Sequence, residues 1–142
     1  MSNEKFRAEV SDVRAATLRL ARRIRQQRSV KLMTDGQFAV LVALHLHGPH
    51  TLTALAERDG VTAPSMNRTV NALIEHDYVS RVTDPTDRRK VQIAISEAGS
   101  QVVTDTVERR DMWLSQVLEN MTEAERSTLH EAAQIILREV HK

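Results

Sequence analysis

A chain of 142 residues with 20 Lys/Arg, 19 Asp/Glu and no cysteine is long enough to form one domain that buries about 70% of the surface its unfolded form exposes, and it needs no covalent staples. The missing thiols exclude a Cys-ligated zinc site, a thiol nucleophile and a cysteine redox sensor. No apolar run approaches the roughly 18 residues of a membrane span and "MSNEKFRAEV" has no signal-peptide core, so the expectation is a soluble, cytoplasmic protein without a membrane partner.

Charge is uneven along the chain. Residues 1–50 hold 9 cations and 4 acids, residues 51–96 hold 6 and 6, and residues 97–142 hold 5 and 9. The first predicted helix repeats Phe6, Val10, Val13, Thr17, Leu20, Ala21 and Ile24 at three- and four-residue spacing, one apolar stripe with the arginines mostly off it. From Val13 to Met33 the chain has Arg14, Arg19, Arg22, Arg23, Arg25, Arg28 and Lys31 without an acid. Such a block suits a nucleic-acid, membrane or calmodulin-like surface, or more plainly a solvated helix face. A second helix opens on the capping-box pair Thr34 and Gln37, runs through Phe38, Val40, Leu41, Leu44 and Leu46, and stops at Gly48-Pro49. Apolar nearly all round, it reads as the central buried helix.

Two short helices follow, at about Leu52–Arg58 and Ala63–His76. Between them "DGVT" supplies a turn at Gly60 and an N-cap at Thr62. With Leu52, Leu55, Ala56 and Val61 expected to face inward, this is the pattern of a helix-turn-helix. In its second helix Met66, Val70, Leu73 and Ile74 share one face, which turns Pro64, Ser65, Arg68 and Asn71 outward with Asn67 and Thr69 on the flanks. Short polar side chains allow close approach to a major groove, and Arg68 and Asn71 offer forked donors to base edges. A helical hairpin in an ordinary all-α domain gives a similar pattern.

The stretch "TDPTDRRKVQIAIS" tilts the balance. Strands at Val79–Thr83 and Val91–Ile95 flank a loop with Asp87, Arg88, Arg89 and Lys90 at its tip. A basic hairpin after a recognition helix is the layout of a winged helix, with the hairpin along the adjacent minor groove, where a narrow groove attracts arginine. Asp87 is placed to hold the Arg89 guanidinium by a bidentate pair. Ser96 then caps a long helix with Val103, Val107, Leu114, Val117, Leu118 and Met121 on one side. A last helix opens on the capping box Thr122–Glu125 and carries Leu129, Ala133, Ile136, Leu137 and Val140.

These residues resemble the MarR-type (multiple antibiotic resistance regulator) winged-helix transcriptional regulators over essentially the whole chain. The family's wing has an Asp-x-Arg element, filled here by Asp87 and Arg89, and then a Leu-Thr-x-x-Gly turn, filled with conservative changes by Ile95, Ser96 and Gly99. The resemblance implies that Arg89 is the minor-groove arginine and Asp87 its positioning partner. It also implies that Pro64, Ser65, Asn67, Arg68 and Thr69 touch the operator, and that a homodimer interlocks through its terminal helices beside a small-molecule pocket.

The expected architecture is thus mainly α with a small β-hairpin wing (α+β). It is one domain, 1–142, with a winged helix-turn-helix lobe at 34–98 and dimerisation helices at 1–33 and 99–142. The expected function is that of a sequence-specific regulator of double-stranded DNA on a pseudo-palindromic operator, a homodimeric repressor released by a small aromatic or amphipathic ligand. Arg14, Arg19, His45 and Trp113 are the candidate ligand contacts. The alternatives are a winged-helix protein-interaction adaptor, or a membrane-surface or calmodulin-type protein using the basic block. His45, His47 and His50 lie close in sequence, but helical positions two apart face different sides, so no metal or other cofactor is expected. Four glycines form no phosphate-binding loop and no nucleophile elbow is present, so an enzyme is not expected.

Overall fold

A computed structural model describes residues 2–141. Its elements are α1 (Ser2–Arg25), α2 (Asp35–His47), β1 (His50–Thr51), α3 (Leu52–Asp59), α4 (Ala63–Glu75), β2 (Val79–Thr83), β3 (Val91–Ile95), α5 (Glu97–Glu119) and α6 (Glu123–Val140). The chain divides into two compact units, residues 25–109 and residues 1–24 with 110–142.

The 25–109 unit contains the core. Val40, Leu41, Ala43 and Leu44 of α2 are buried, together with Leu55 and Ala56 of α3, Met66, Val70 and Leu73 of α4, Val79, Ile93, Val102 and Val103. Helix α2 is central because it is apolar on most of its circumference, although Leu46 near its end is exposed. Its N-terminus has both halves of the Thr34–Gln37 capping box. Arg28 locks the preceding loop by donating to the carbonyls of Arg25 and Met33 and pairing with Asp35. The Ser29 hydroxyl meets the Thr106 hydroxyl at 2.8 Å, so the loop is also tied to α5. These contacts make the unit wider than the 34–98 lobe drawn from motifs.

Strand β1 is an element that the sequence reading lacks. It pairs antiparallel with β3, His50 opposite Ile93, and β3 pairs in turn with β2, Val79 opposite Ile95 through Thr83 opposite Val91. The result is a three-stranded sheet in the order β1-β3-β2. Two residues carry no alternation to detect. Val61 is a correction: expected to face inward, it is 42% exposed. Gly60 takes the left-handed conformation (φ 65°) and the Val61 N–H reaches back to the Ala56 carbonyl, so the turn closes through backbone rather than through the valine side chain.

The unit formed by residues 1–24 and 110–142 has a different character. No residue of α6 is buried, and Phe6, Val10, Val13, Ile135, Ile136 and Val140 are each more than two-fifths exposed in the single chain. Here Arg23 lies over the Trp113 ring, 5.7 Å from its centroid. No helix among the described residues is long and apolar enough to cross a membrane.

Candidate nucleic-acid interface

Helix α4 begins at Thr62, whose hydroxyl accepts from the Ser65 N–H, with Pro64 in the first turn where its missing N–H costs nothing. Burial of Met66, Val70 and Leu73 against the core fixes the helix rotation. Pro64, Arg68 and Asn71 are therefore exposed, and Ser65, Asn67 and Thr69 half-buried. The Thr69 hydroxyl bonds back to the Ser65 carbonyl at 3.3 Å, which uses its proton within the helix. The Arg68 side chain is exposed and has no ion pair among the described residues.

Sequence reasoning missed Arg81. From the middle of β2 its Nη2 donates to Asn67 Oδ1 at 3.0 Å and to Asn71 Oδ1 at 3.1 Å. No local pattern links residues 10 and 14 positions apart; only the packing of β2 beside α4 brings them together.

The wing tip is a network of backbone caps. One Asp84 oxygen accepts from the Thr86 N–H (2.8 Å), the Thr86 hydroxyl (2.7 Å) and the Asp87 N–H (3.2 Å), and the Asp84 N–H closes the loop onto the Lys90 carbonyl at 2.9 Å. The Thr86 hydroxyl, then the Thr86 N–H, hold the Asp84 carboxyl below its ordinary value of 3.8. Its contribution to loop order is present above that value and is lost as pH falls through the lower folded one.

Asp87 corrects a second expectation. Its Oδ1 accepts from the Arg89 main-chain N–H at 3.0 Å rather than gripping the guanidinium. Two residues apart in a turn, a short carboxylate reaches the backbone donor more readily than the end of a long side chain. The turn is fixed while Arg88, Arg89 and Lys90 stay exposed, with no ion pair among the described residues.

The hairpin is anchored at its base by the turn into α5. The Ser96 hydroxyl donates to the Asp77 carbonyl (2.6 Å) and accepts from the Gly99 N–H (3.1 Å), while the Ser96 N–H bonds the Tyr78 carbonyl (2.9 Å). An alanine Cβ at Gly99 would sit 2.3 Å from that same carbonyl oxygen. This is the physical content of the Ile95, Ser96, Gly99 element.

The proposed ligand contacts are spread over both units: Arg14, Arg19 and Trp113 in one, His45 in the other. Arg14 is exposed and donates to Ser11 Oγ at 3.4 Å, Arg19 is exposed, and His45 Nδ1 lies 3.4 Å from Ser100 Oγ. A cavity of about 460 Å³ lies instead behind α4, lined by residues that include Val30, Lys31, Gln37, Leu73, His76 and Tyr78. Among the described residues no cluster of three His, Asp or Glu has a geometry suited to a metal ion. Within the basic block, Arg25 and Arg28 face Asp35 and Arg23 covers Trp113.

An exposed polar face on the second helix of a helix-turn-helix, beside a cationic hairpin held open by its own acids, defines a winged helix-turn-helix DNA-binding protein. The chain belongs to the MarR family of transcriptional regulators, whose members are not enzymes: the family's model matches residues 33–91, from the loop before α2 to the start of β3. An HTH-type transcriptional regulator of Mycobacterium tuberculosis is 33% identical over 127 residues, 89% of each chain. The HTH-type transcriptional repressor NicR of Pseudomonas putida is 32% identical over 78 residues, 55% of this chain and 49% of NicR. The crystal structure of RV1404 from M. tuberculosis superposes with a TM-score of 0.76 at 30% identity, covering 92% of this chain and 88% of that one. A MarR family protein of Bacillus stearothermophilus shares the fold, with a TM-score of 0.82 at 24% identity over 98% of both chains.

Proposed function

We propose that this regulator is a cytoplasmic homodimeric repressor that reads a pseudo-palindromic operator with α4 in the major groove and the wing in the adjacent minor groove, and that a small ligand releases it. The observation carrying this reading is the combination, in one compact unit, of the outward face of α4 with Pro64, Ser65, Asn67, Arg68, Thr69 and Asn71 and the exposed tip cations Arg88, Arg89 and Lys90. Repression is supported by likeness to NicR, itself a repressor. A protein-interaction adaptor has no use for those cations. A membrane-surface or calmodulin-type role is disfavoured because part of the basic block is engaged within the fold.

Binding of the purified chain to its own upstream DNA, followed by gel shift, tests the reading. Arg68→Ala is expected to cost about 1–3 kcal/mol per half-site and to relax discrimination at one base pair. Equal losses on operator and random DNA would assign Arg68 to a phosphate instead.

Dimerisation through 1–33 and 99–142 is the second part of the proposal. A terminal-helix unit with its apolar stripes this exposed leaves much apolar area in water, at about 25 cal/mol per Å² of lost burial, and a second copy supplies the missing cover. Two copies also present two recognition helices about one turn of DNA apart. The chain should sediment as a dimer at micromolar concentration, with Val10→Asp or Ile136→Asp shifting it toward monomer. A wild-type monomer that binds operator tightly refutes this part.

The proposed effector is a small aromatic or amphipathic anion, for which exposed Arg14 and Arg19 supply charge and Trp113 a ring face. Operator affinity that stays constant across a broad panel of aromatic acids argues against ligand release.

A further inference from the structure

We propose that Arg81, a residue of the wing strand, determines which base edges α4 can read by holding the side-chain amides of Asn67 and Asn71 in one orientation. The inference rests on the reading that α4 enters the major groove, and it gives that reading a chemical direction.

Arg81 stands at the centre of β2, across from Ile93 on β3, so the sheet fixes its origin. Its Nη2 lies 3.0 Å from Asn67 Oδ1 and 3.1 Å from Asn71 Oδ1. Residues four apart on a helix lie one above the other, and one amino nitrogen has two hydrogens, one for each oxygen. A guanidinium donates and never accepts, so the amide oxygen is the atom that must face it. Turning either amide over sets donor against donor and removes a charge-assisted bond, the stronger kind. Each NH2 group is thereby left on the side away from Arg81.

The consequence is a restricted code. Asparagine reads adenine by a two-point contact in which its oxygen accepts from N6 and its NH2 donates to N7. With each oxygen turned toward Arg81, Asn67 and Asn71 present their NH2 groups to a base edge rather than oxygen and NH2 side by side. Guanine N7 and O6 and thymine O4 accept such donors; adenine N7 does too but forfeits the second contact at its N6 group, and cytosine presents its own N4 donor and is repelled. Asn71, an adenine reader by residue type, becomes a keto reader because of a strand residue ten positions away. Arg81 is in this sense a positioning residue: it sets specificity from outside the recognition helix.

Selection from a randomised duplex library tests the inference, using the dimeric wild type, Arg81→Met, Arg81→Lys, Asn67→Ala and Asn71→Ala. The two asparagine variants mark the base positions concerned. There the wild type is expected to favour guanine or thymine over cytosine by about tenfold, and Arg81→Met to gain adenine by a similar factor as the amides become free to turn. Arg81→Lys should keep the wild-type preference, since an ammonium also only donates. Arg81→Met with wild-type preferences at every position and uniformly weaker binding overturns the inference and leaves Arg81 a structural tie. A wild type that enriches no sequence overturns the groove reading, and the readout role with it. The side-chain NH2 resonances of Asn67 and Asn71 in the free protein report the clamp separately. They should shift in Arg81→Met, and unshifted resonances refute Arg81's hold whatever the DNA result.

Discussion

Gly99→Ala is expected to lower folding stability by about 3 kcal/mol, the upper part of the range for overpacking a filled site. The added Cβ would meet the Tyr78 carbonyl oxygen at 2.3 Å and Ile95 Cγ1 at 2.8 Å. A flexible side chain could swing aside, but this oxygen is backbone and already accepts the Ser96 N–H. Relief therefore requires α5 to move away from the base of the wing. Gly36→Ala is the control, because the nearest atom to its Cβ is Thr34 Oγ1 at 3.9 Å; within α2 it should be neutral or stabilising by up to about 1 kcal/mol. Chemical denaturation of the two variants beside the wild type decides the matter. A Gly99→Ala loss as small as a few tenths of a kcal/mol would show that the turn has slack.

The second large effect is expected at the wing tip, where the three cations should not be equivalent. Arg89→Ala should weaken operator binding by an amount on the order of 1.5–3 kcal/mol per half-site, the scale of a hydrogen bond to a charged group, because an arginine in a narrow minor groove meets concentrated negative potential. Arg89→Lys keeps the charge but loses the planar fork and should rescue poorly. Lys90→Ala should cost less and reduce the salt slope by about one unit for each phosphate contact removed. Asp87 gives the sharper comparison. Its carboxylate caps the Arg89 N–H, a role an amide oxygen also fills. Asp87→Asn should therefore bind DNA as well as or better than wild type, since a negative charge near phosphates is gone. Asp87→Ala should bind less well, because the turn that presents Arg89 loses its cap. Gel shifts at fixed salt separate the two, and equal affinities for Asn and Ala at this position dismiss the capping role.

Much of this was legible in the sequence. The N-caps at Thr34, Thr62 and Thr122, the turn at Gly60, the strands Val79–Thr83 and Val91–Ile95 and the buried face Met66, Val70, Leu73 all depend on signals within one helical turn or one strand. In such a span chemistry and spacing determine the conformation. The mainly α architecture with its wing followed from their order along the chain, and so did the exposure of Pro64, Arg68 and Asn71.

What only the tertiary structure decided involves partners that are remote along the chain or equally near. Strand β1 exists because β3 offers it a pairing edge, not because two residues prefer to be extended. Ser29 finds Thr106 across 77 positions, and Arg81 finds Asn67 and Asn71 only once β2 lies beside α4. At Asp87 the competition was local but between two donors of the same residue, main chain and guanidinium, and spacing cannot rank them. Turn geometry ranked them, because backbone donors in a closed loop are already in place, whereas a long side chain must give up rotamer freedom to reach the same acceptor.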